Sequence, residues 1–306
     1  MTAPPTGLVG VDWGTSNLRA FRFGGDGEVL ERRESGDGIL RVENSDFEAT
    51  LKSLVGDWLD AGPTTPILMC GMIGSRQGWR EAPYVACPAD LDGLTRQVVA
   101  VPADWADIRI SPGLSHLTDG GVADVMRGEE AQVFGAVDAA DDALLVAPGT
   151  HSKWAAVRQG RVIGFKTYLT GELYDVLVRA SILGRLMDGE APDDAAFTLG
   201  VERAVATPGL LGLLFSTRSE GLFEHLPATA LAAYLSGLLI GSEVAEGLRS
   251  QAAAGPSPAP VILVASSRLR RLYSTAFGLA GHPVSRVIDG GDAAARGLWR
   301  LHEAMT

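Results

Sequence analysis

A chain of 306 residues, 46% of them hydrophobic, has enough apolar material for one or two substantial cores, since domains typically run to roughly 100 to 200 residues. Its 37 acidic residues outnumber 26 basic ones for a formal net charge of -11, with no run of Lys or Arg. That argues against nucleic acid and anionic membranes as partners, because both are held largely through basic patches.

Cys70 and Cys87 stand in no metal-ligand spacing, so neither a disulfide framework nor a structural zinc site is expected, and a reducing, cytoplasmic setting fits. Met1 to Gly7 shows no basic-then-apolar leader pattern, and no apolar run reaches ~18 residues. The longest, Ala228 to Ile240, is interrupted by Tyr234, Ser236 and Gly237 and reads as a buried helix.

In chain order, Leu8 to Trp13, Leu18 to Phe23 and Glu28 to Arg33 are strand-like runs separated by Gly14 to Asn17 and Gly24 to Gly27, which predicts an antiparallel meander. Asp46 to Ala61 has helical spacing through Phe47, Leu51, Leu54, Val55 and Leu59, and Pro66 to Cys70 reads as a buried strand. A stretch punctuated by Pro83, Pro88, Pro102 and Pro112 follows, then a predicted helix over Asp124 to Val137 and a strand over Ala143 to Ala147. Gly149 to Lys153, Trp154 to Arg158 and Arg161 to Thr167 suggest a second meander around a second Gly/Thr turn, so two copies of one fold are expected. Helices are expected at Glu172 to Met187 and Ala228 to Ala253. Beyond the Gly255 to Pro260 loop come a strand at Val261 to Ala265, a helix near Arg268 to Ala280 and a last helix at Ala293 to Met305.

The first turn, Asp12-Trp13-Gly14-Thr15-Ser16-Asn17-Leu18-Arg19, joins two strands. Gly14 lets backbone approach a ligand closely, and the N–H and hydroxyl groups of Thr15, Ser16 and Asn17 can form an anion-binding concavity. Asp12 beside it suits Mg²⁺ or its waters; the plainer reading is a hairpin turn with Asp and Asn chosen for turn chemistry. The second turn, Pro148 to Lys153, follows an apolar strand, and Gly149, Thr150, His151, Ser152 and Lys153 are candidates for the β- and γ-phosphates. Neither Gly-x-x-x-x-Gly-Lys-Ser/Thr nor Gly-x-Gly-x-x-Gly occurs, so the P-loop and dinucleotide readings lack their signatures.

The first turn resembles the Asp-x-Gly-x-Thr/Ser-x-x-Arg phosphate motif of the superfamily of actin, hexokinase and heat-shock chaperones. Gly71-Met72-Ile73-Gly74-Ser75 through Gly78-Trp79, Ala82-Pro83-Tyr84, Val125-Met126-Arg127-Gly128-Glu129-Glu130, Pro148 to Trp154 and Thr170-Gly171-Glu172-Leu173 are similar to the bacterial 2-dehydro-3-deoxygalactonokinases. The resemblance runs from about Gly10 to the final helix. It implies an α/β chain of two ribonuclease-H-like domains, residues 1–138 and 139–306, with ATP and substrate in a central cleft and the last helix packing back toward the first domain. It implies transfer of the γ-phosphoryl group of ATP, with Mg²⁺, to the 6-hydroxyl of 2-dehydro-3-deoxy-D-galactonate in galactonate catabolism. Pro148 stands where the wider superfamily usually has Asp, which puts any metal role for a second aspartate there in question.

Such a transfer needs positioned phosphates, neutralised charge and a group that accepts the hydroxyl proton. Glu129, about twenty residues before the second phosphate turn, matches the offset of the catalytic Asp in related sugar kinases. Glu130 shares a helical face with Val133, Phe134 and Val137, so burial would raise its pKa and make it the base or a structural acid; Asp124 is a third candidate. For the acceptor's carboxylate Arg127 is favoured, since a guanidinium gives two parallel donors. Gly71, Met72, Gly74, Ser75 and Trp79 follow a strand end, where open α/β sheets place ligands, though the glycines can equally be packing glycines. Ala265, Ser266 and Ser267 are the expected adenosine site, although a Gly-Gly is commoner there in the superfamily. Asp289 to Asp292 reads either as a flexible interdomain connection or as a capped helix start.

Two other functions stay open: a kinase for a different sugar or sugar acid, and a nucleotide-driven switch or chaperone. The chain is short for the inserted subdomains the latter usually carry. Monomer and homodimer are not distinguished.

Overall fold

The structure is a computed structural model that describes residues 6–59, 65–118, 120–254 and 259–306. Most of the Gly255 to Pro260 loop and the end of the first expected helix at Ala61 lie outside the described residues.

The chain opens with β1 (Leu8–Trp13), β2 (Leu18–Phe23) and β3 (Val29–Ser35), then α1 (Phe47–Val55) and β4 (Pro66–Gly71). Next come β5 (Tyr84–Ala86), α2 (Leu91–Thr95), β6 (Val99–Val101), β7 (Asp107–Ile110), β8 (Gly113–Leu117), β9 (Ala123–Met126) and α3 (Glu129–Ala136). The second half runs β10 (Ala143–Ala147), β11 (Ser152–Arg158), β12 (Arg161–Tyr168), α4 (Thr170–Ala180), α5 (Asp194–Ala206), α6 (Leu210–Leu214), α7 (Ser216–Leu222) and α8 (Leu231–Ala254). It ends with β13 (Val261–Val264), α9 (Ser267–Leu279), β14 (Arg286–Ile288) and α10 (Gly290–Glu303).

One sheet has the order β3-β2-β1-β4-β7-β6 and another β12-β11-β10-β13-β14. In the first, β1 pairs antiparallel with β2 and parallel with β4, and β4 parallel with β7. A three-strand meander continued on the far side of its first strand by parallel strands is the ribonuclease-H-like order. The second sheet repeats it, with β10 and β13 parallel. The α/β class and the duplicated fold are therefore as the sequence implies. Two compact units divide the chain, the first Met1–Asp142, Ala155–Phe165 and Ile288–Thr306, the second Ala143–Trp154 and Lys166–Val287.

In unit 1 the alternation of β1 buries Val9, Val11 and Trp13 with Phe47, Leu51 and Val55 of α1 and Ile67 and Met69 of β4. α10 packs on α3: Arg300 donates to the carbonyls of Phe134, at 2.8 Å, and of Val137, and pairs with Asp138. Those bonds fill carbonyls left open at the end of α3. Asp289 caps α10 by accepting from Gly291 N and Asp292 N at 2.8 and 3.3 Å, the capped-start arrangement.

The expected helix over Asp124 to Val137 begins only at Glu129; Asp124 lies on β9, opposite His116 of β8. Gly128, at φ +107, turns the chain out of the strand before the helix starts. β5, β8 and β9 form a third sheet, which the proline-rich stretch hid. The helix expected over Glu172 to Met187 ends at Ala180.

In unit 2 Leu144, Val146, Val261 and Leu263 of the sheet pack with Trp154, Phe197, Ile240, Tyr273 and Phe277. By length and composition α8 is apolar enough to cross a bilayer between Leu231 and Gln251, yet 67% of that window is buried inside the protein. It is the central core helix of its unit.

Candidate active site

In unit 1 three element ends meet at Asp12. The β1 register sets it opposite Arg19 of β2 and Cys70 of β4. Gly71 ends β4 at φ +93, and a methyl group there would stand 3.3 Å from Asp12 Oδ1 and 2.6 Å from the Trp13 carbonyl. On Gly128 a methyl would lie 3.1 Å from the Gly71 α-carbon and 3.9 Å from the same oxygen. Only glycine takes these conformations cheaply, so bare backbone passes the carboxyl on two sides.

The Asp12 side chain is 15% exposed, with Arg19 Nη1 3.8 Å from Oδ2 and Cys70 Sγ 3.9 Å from Oδ1. Burial pushes the carboxyl up to about 6; Arg19 pulls it back, and the charge of Glu129 adds to the rise. The following turn closes through Gly14 N to Asn17 O at 2.9 Å, leaving Thr15, Ser16 and Asn17 exposed. It is braced from behind by Ile39 N to Gly14 O at 3.0 Å and by Trp13 Nε1 to Asp37 O at 2.8 Å.

Glu129 and Glu130 open α3, where carboxylates are favoured by the helix dipole. Glu129 Oε2 accepts from Arg127 N at 3.1 Å and Glu130 Oε2 from Gly128 N at 2.6 Å. Glu130 is fully buried, its Oε1 has no hydrogen-bond partner, and burial followed by the charge of Glu129 lifts it to about 8. The acid is therefore largely protonated at neutral pH. Asp124, on β9, belongs to a different element from this pair.

Arg127 is 8% exposed. Its Nη2 donates to Ala82 O at 2.7 Å, its Nε reaches Tyr84 Oη at 3.4 Å, and its Cζ lies 4.2 Å from the Tyr84 ring centroid. Nη1 is buried without a partner, and a methyl on Gly74 would stand 2.9 Å from it. Met72 to Gly74 form one 3₁₀ turn after β4, and Trp79 packs against the unit 1 core. Arg76 is exposed and pairs with Glu81 at 3.0 Å.

In unit 2 Gly149, Thr150 and His151 make the turn, while Ser152 and Lys153 already belong to β11 and are buried. Lys153 Nζ donates to Thr167 Oγ1 at 2.9 Å, and His151 Nε2 pairs with Glu172 Oε2 at 2.5 Å. Ala265 is buried, whereas Ser266 and Ser267 are exposed at the start of α9. Beside that start a cavity is lined by Tyr174, Glu190, Asp194, Ser236, Arg268 and Arg271 among others.

Two residues at the unit 1 site carried no predicted role: Tyr84, quoted only within the Ala82-Pro83-Tyr84 resemblance, and Cys70. Glu243, buried in α8, had none either; its signal was one carboxylate among Leu239, Ile240 and Val244 in an apolar helix, since buried charges need partners.

Among the described residues no group of three or more His, Cys, Asp and Glu forms a metal cage. Magnesium beside a nucleotide needs none, because it keeps several waters and takes one or two carboxylates plus phosphates. Asp12, partly exposed next to a hydroxyl-rich turn, suits that mode.

A family model described as 2-keto-3-deoxy-galactonokinase matches residues 12–301. A Rhizobium meliloti (strain 1021) protein named as a probable 2-dehydro-3-deoxygalactonokinase is 41% identical over 304 residues, spanning 95% of this chain and 97% of its own. The Escherichia coli (strain K12) 2-dehydro-3-deoxygalactonokinase is 37% identical over 286 residues, 94% of each chain. A crystal structure from Sinorhizobium meliloti, of a protein provisionally given the same name, is similar at 39% identity and a TM-score of 0.88, covering 97% of this chain and 99% of that one.

Proposed function

The chain belongs to the 2-keto-3-deoxy-galactonokinase family, and from that premise we propose that it transfers the γ-phosphoryl group of ATP to the 6-hydroxyl of 2-dehydro-3-deoxy-D-galactonate. The observation that carries the acceptor half is Arg127 Nη1, buried and without a hydrogen-bond partner. A buried donor left unpaired costs about 1 to 3 kcal/mol, more when charged, and a sugar-acid carboxylate supplies the missing acceptor. Tyr84 and the Ala82 carbonyl already hold the other guanidinium nitrogens, so the group is fixed before substrate arrives. Gly71, Met72, Gly74, Ser75 and Trp79 line the same side in this reading.

On the nucleotide side, Gly14, Thr15, Ser16, Asn17 and Arg19 take phosphate oxygens, and Asp12 holds Mg²⁺, which neutralises phosphate charge. Gly149, Thr150, His151, Ser152 and Lys153 serve the β- and γ-phosphates, and Ala265, Ser266 and Ser267 the adenosine. Glu129 accepts the hydroxyl proton. Glu130, buried and largely neutral, holds the α3 start instead. A cytoplasmic location goes with this reading, supported by both cysteines being free.

The test is ADP release by the purified chain with ATP against a panel of 2-keto-3-deoxy sugar acids. Acceptor-dependent release that is highest with the galactonate derivative is expected. Release without any acceptor dependence would overturn the proposal in favour of a nucleotide-driven switch.

A further inference from the structure

Behind the unit 2 turn lies a carboxylate that the proposed reaction does not use. Glu243, on α8 and 4% exposed, accepts from Trp154 Nε1 at 2.7 Å, Thr170 Oγ1 at 2.5 Å and Tyr273 Oη at 2.6 Å. The donors come from β11, the first residue of α4, and α9. Two of these connections lead to the turn. Tyr273 Oη lies 3.3 Å from Ser152 Oγ, at the residue where the turn becomes β11. Thr170 precedes Gly171, where a methyl would stand 2.4 Å from the Gly149 carbonyl and 2.8 Å from the Thr150 α-carbon. One residue on, Glu172 N donates to Thr150 O at 3.0 Å. The Thr170 to Glu172 segment is thus pressed on Gly149 and Thr150, and its first hydroxyl is anchored on Glu243.

We propose that Glu243 is the positioning residue of the second phosphate turn, setting the place of Gly149 to Ser152 through Thr170 on one side and Tyr273 on the other. A buried carboxylate is costly unless its lone pairs are filled, and filled lone pairs hold their donors to one geometry. Thr150 and His151 are exposed, and the contacts that hold them, Glu172 N to Thr150 O and His151 Nε2 to Glu172 Oε2, come from the same segment that Thr170 anchors. This inference rests on reading that turn as a phosphate site.

Steady-state kinetics of the full chain separate the possibilities. Glu243→Ala is expected to raise KM for ATP about tenfold, which corresponds to loss of one or two net hydrogen bonds, while KM for the sugar acid stays within about twofold. Glu243→Gln keeps an acceptor for Trp154 and an amide that both hydroxyls can accept from, so it restores most of the ATP affinity. Thr170→Val and Tyr273→Phe each remove one connection and should raise KM for ATP in the same sense; they decide the matter if Glu243→Ala does not fold. Equal changes in both KM values, or a lowered melting temperature with neither KM moved, would overturn the inference. Thr150→Val probes the turn directly. If it leaves KM for ATP unchanged, the phosphate reading fails; if it raises KM while the Glu243, Thr170 and Tyr273 variants do not, Glu243 alone is excluded.

Discussion

The guanidinium of Arg127 lies over the ring of Tyr84, its Cζ 4.2 Å from the centroid, while one of its nitrogens is buried without a partner. The aromatic face and the Ala82 carbonyl set the plane of the fork, so the open nitrogen is aimed rather than free to swing. Arg127→Lys should therefore raise KM for the sugar acid by about tenfold or more, because a charged hydrogen bond is worth roughly 1.5 to 3 kcal/mol and an ammonium cannot reproduce the fork. KM for ATP should hardly move. Tyr84→Leu should act in the same direction but more weakly. An unchanged sugar-acid KM for Arg127→Lys in steady-state assays would remove Arg127 from the acceptor site.

At Asp12 activity and stability are expected to move in opposite directions. Its folded pKa of about 6 lies above the ordinary 3.8 chiefly because the carboxyl is buried. Between those two values the folded state binds more protons than the unfolded one, so this residue's contribution to stability falls as pH rises through the window. Asp12→Asn removes that loss. The variant should be as stable as the parent near pH 4 and relatively more stable above about pH 6, with turnover abolished. Urea unfolding at both pH values, beside ADP release, checks this; a variant less stable at pH 7 would place Asp12 in the framework instead.

How much of this was readable in advance depends on the length of each signal. The meander around Gly14 to Asn17 showed in the sequence because three strands of six or seven residues alternate between clear turns. Glu130 was readable as buried because Val133, Phe134 and Val137 mark its helical face. By contrast β5, β6 and β9 are three or four residues long, too short for a period of two to emerge between prolines. The helical reading of Asp124 failed at Gly128, whose positive φ no local pattern announces. Tyr84 and Glu243 owe their roles to partners 43 and 30 or more residues away, contacts that only the folded chain supplies.

Replacing Gly71 tests the geometry around Asp12. At φ +93, with a methyl only 2.6 Å from the Trp13 carbonyl, alanine forces β4 and β1 apart where their register places Trp13 opposite Gly71. Strain of this kind costs of order 1 to 3 kcal/mol. Gly71→Ala should lower the urea midpoint and, by displacing the Asp12 carboxyl, also lower kcat. Full activity at a parental midpoint would show that the strand end has slack.

The two glutamates that open α3 should separate cleanly. A group that accepts the hydroxyl proton acts mainly in the transition state, typically for ~10² to 10⁴-fold, so Glu129→Gln should lower kcat on that scale with both KM values nearly intact. Glu130 differs because burial lifts its folded pKa to about 8 from 4.5. Its folded form holds a proton that the unfolded form has lost between those values, so the parent loses stability as pH climbs from about 4.5 to 8. Glutamine imitates the protonated acid: its carbonyl can accept from Gly128 N, as Oε2 does at 2.6 Å, and its amide takes the place of the unpaired Oε1. Glu130→Gln should therefore keep most of its kcat and show a flatter stability profile, gaining on the parent with rising pH across that window. Urea unfolding of parent and variant at pH 5 and pH 8, with kcat for both Gln variants, decides the assignment. A collapsed kcat for Glu130→Gln beside a near-parental one for Glu129→Gln would exchange the two roles, and a stability difference that does not change with pH would show that Glu130 does not titrate in the folded protein.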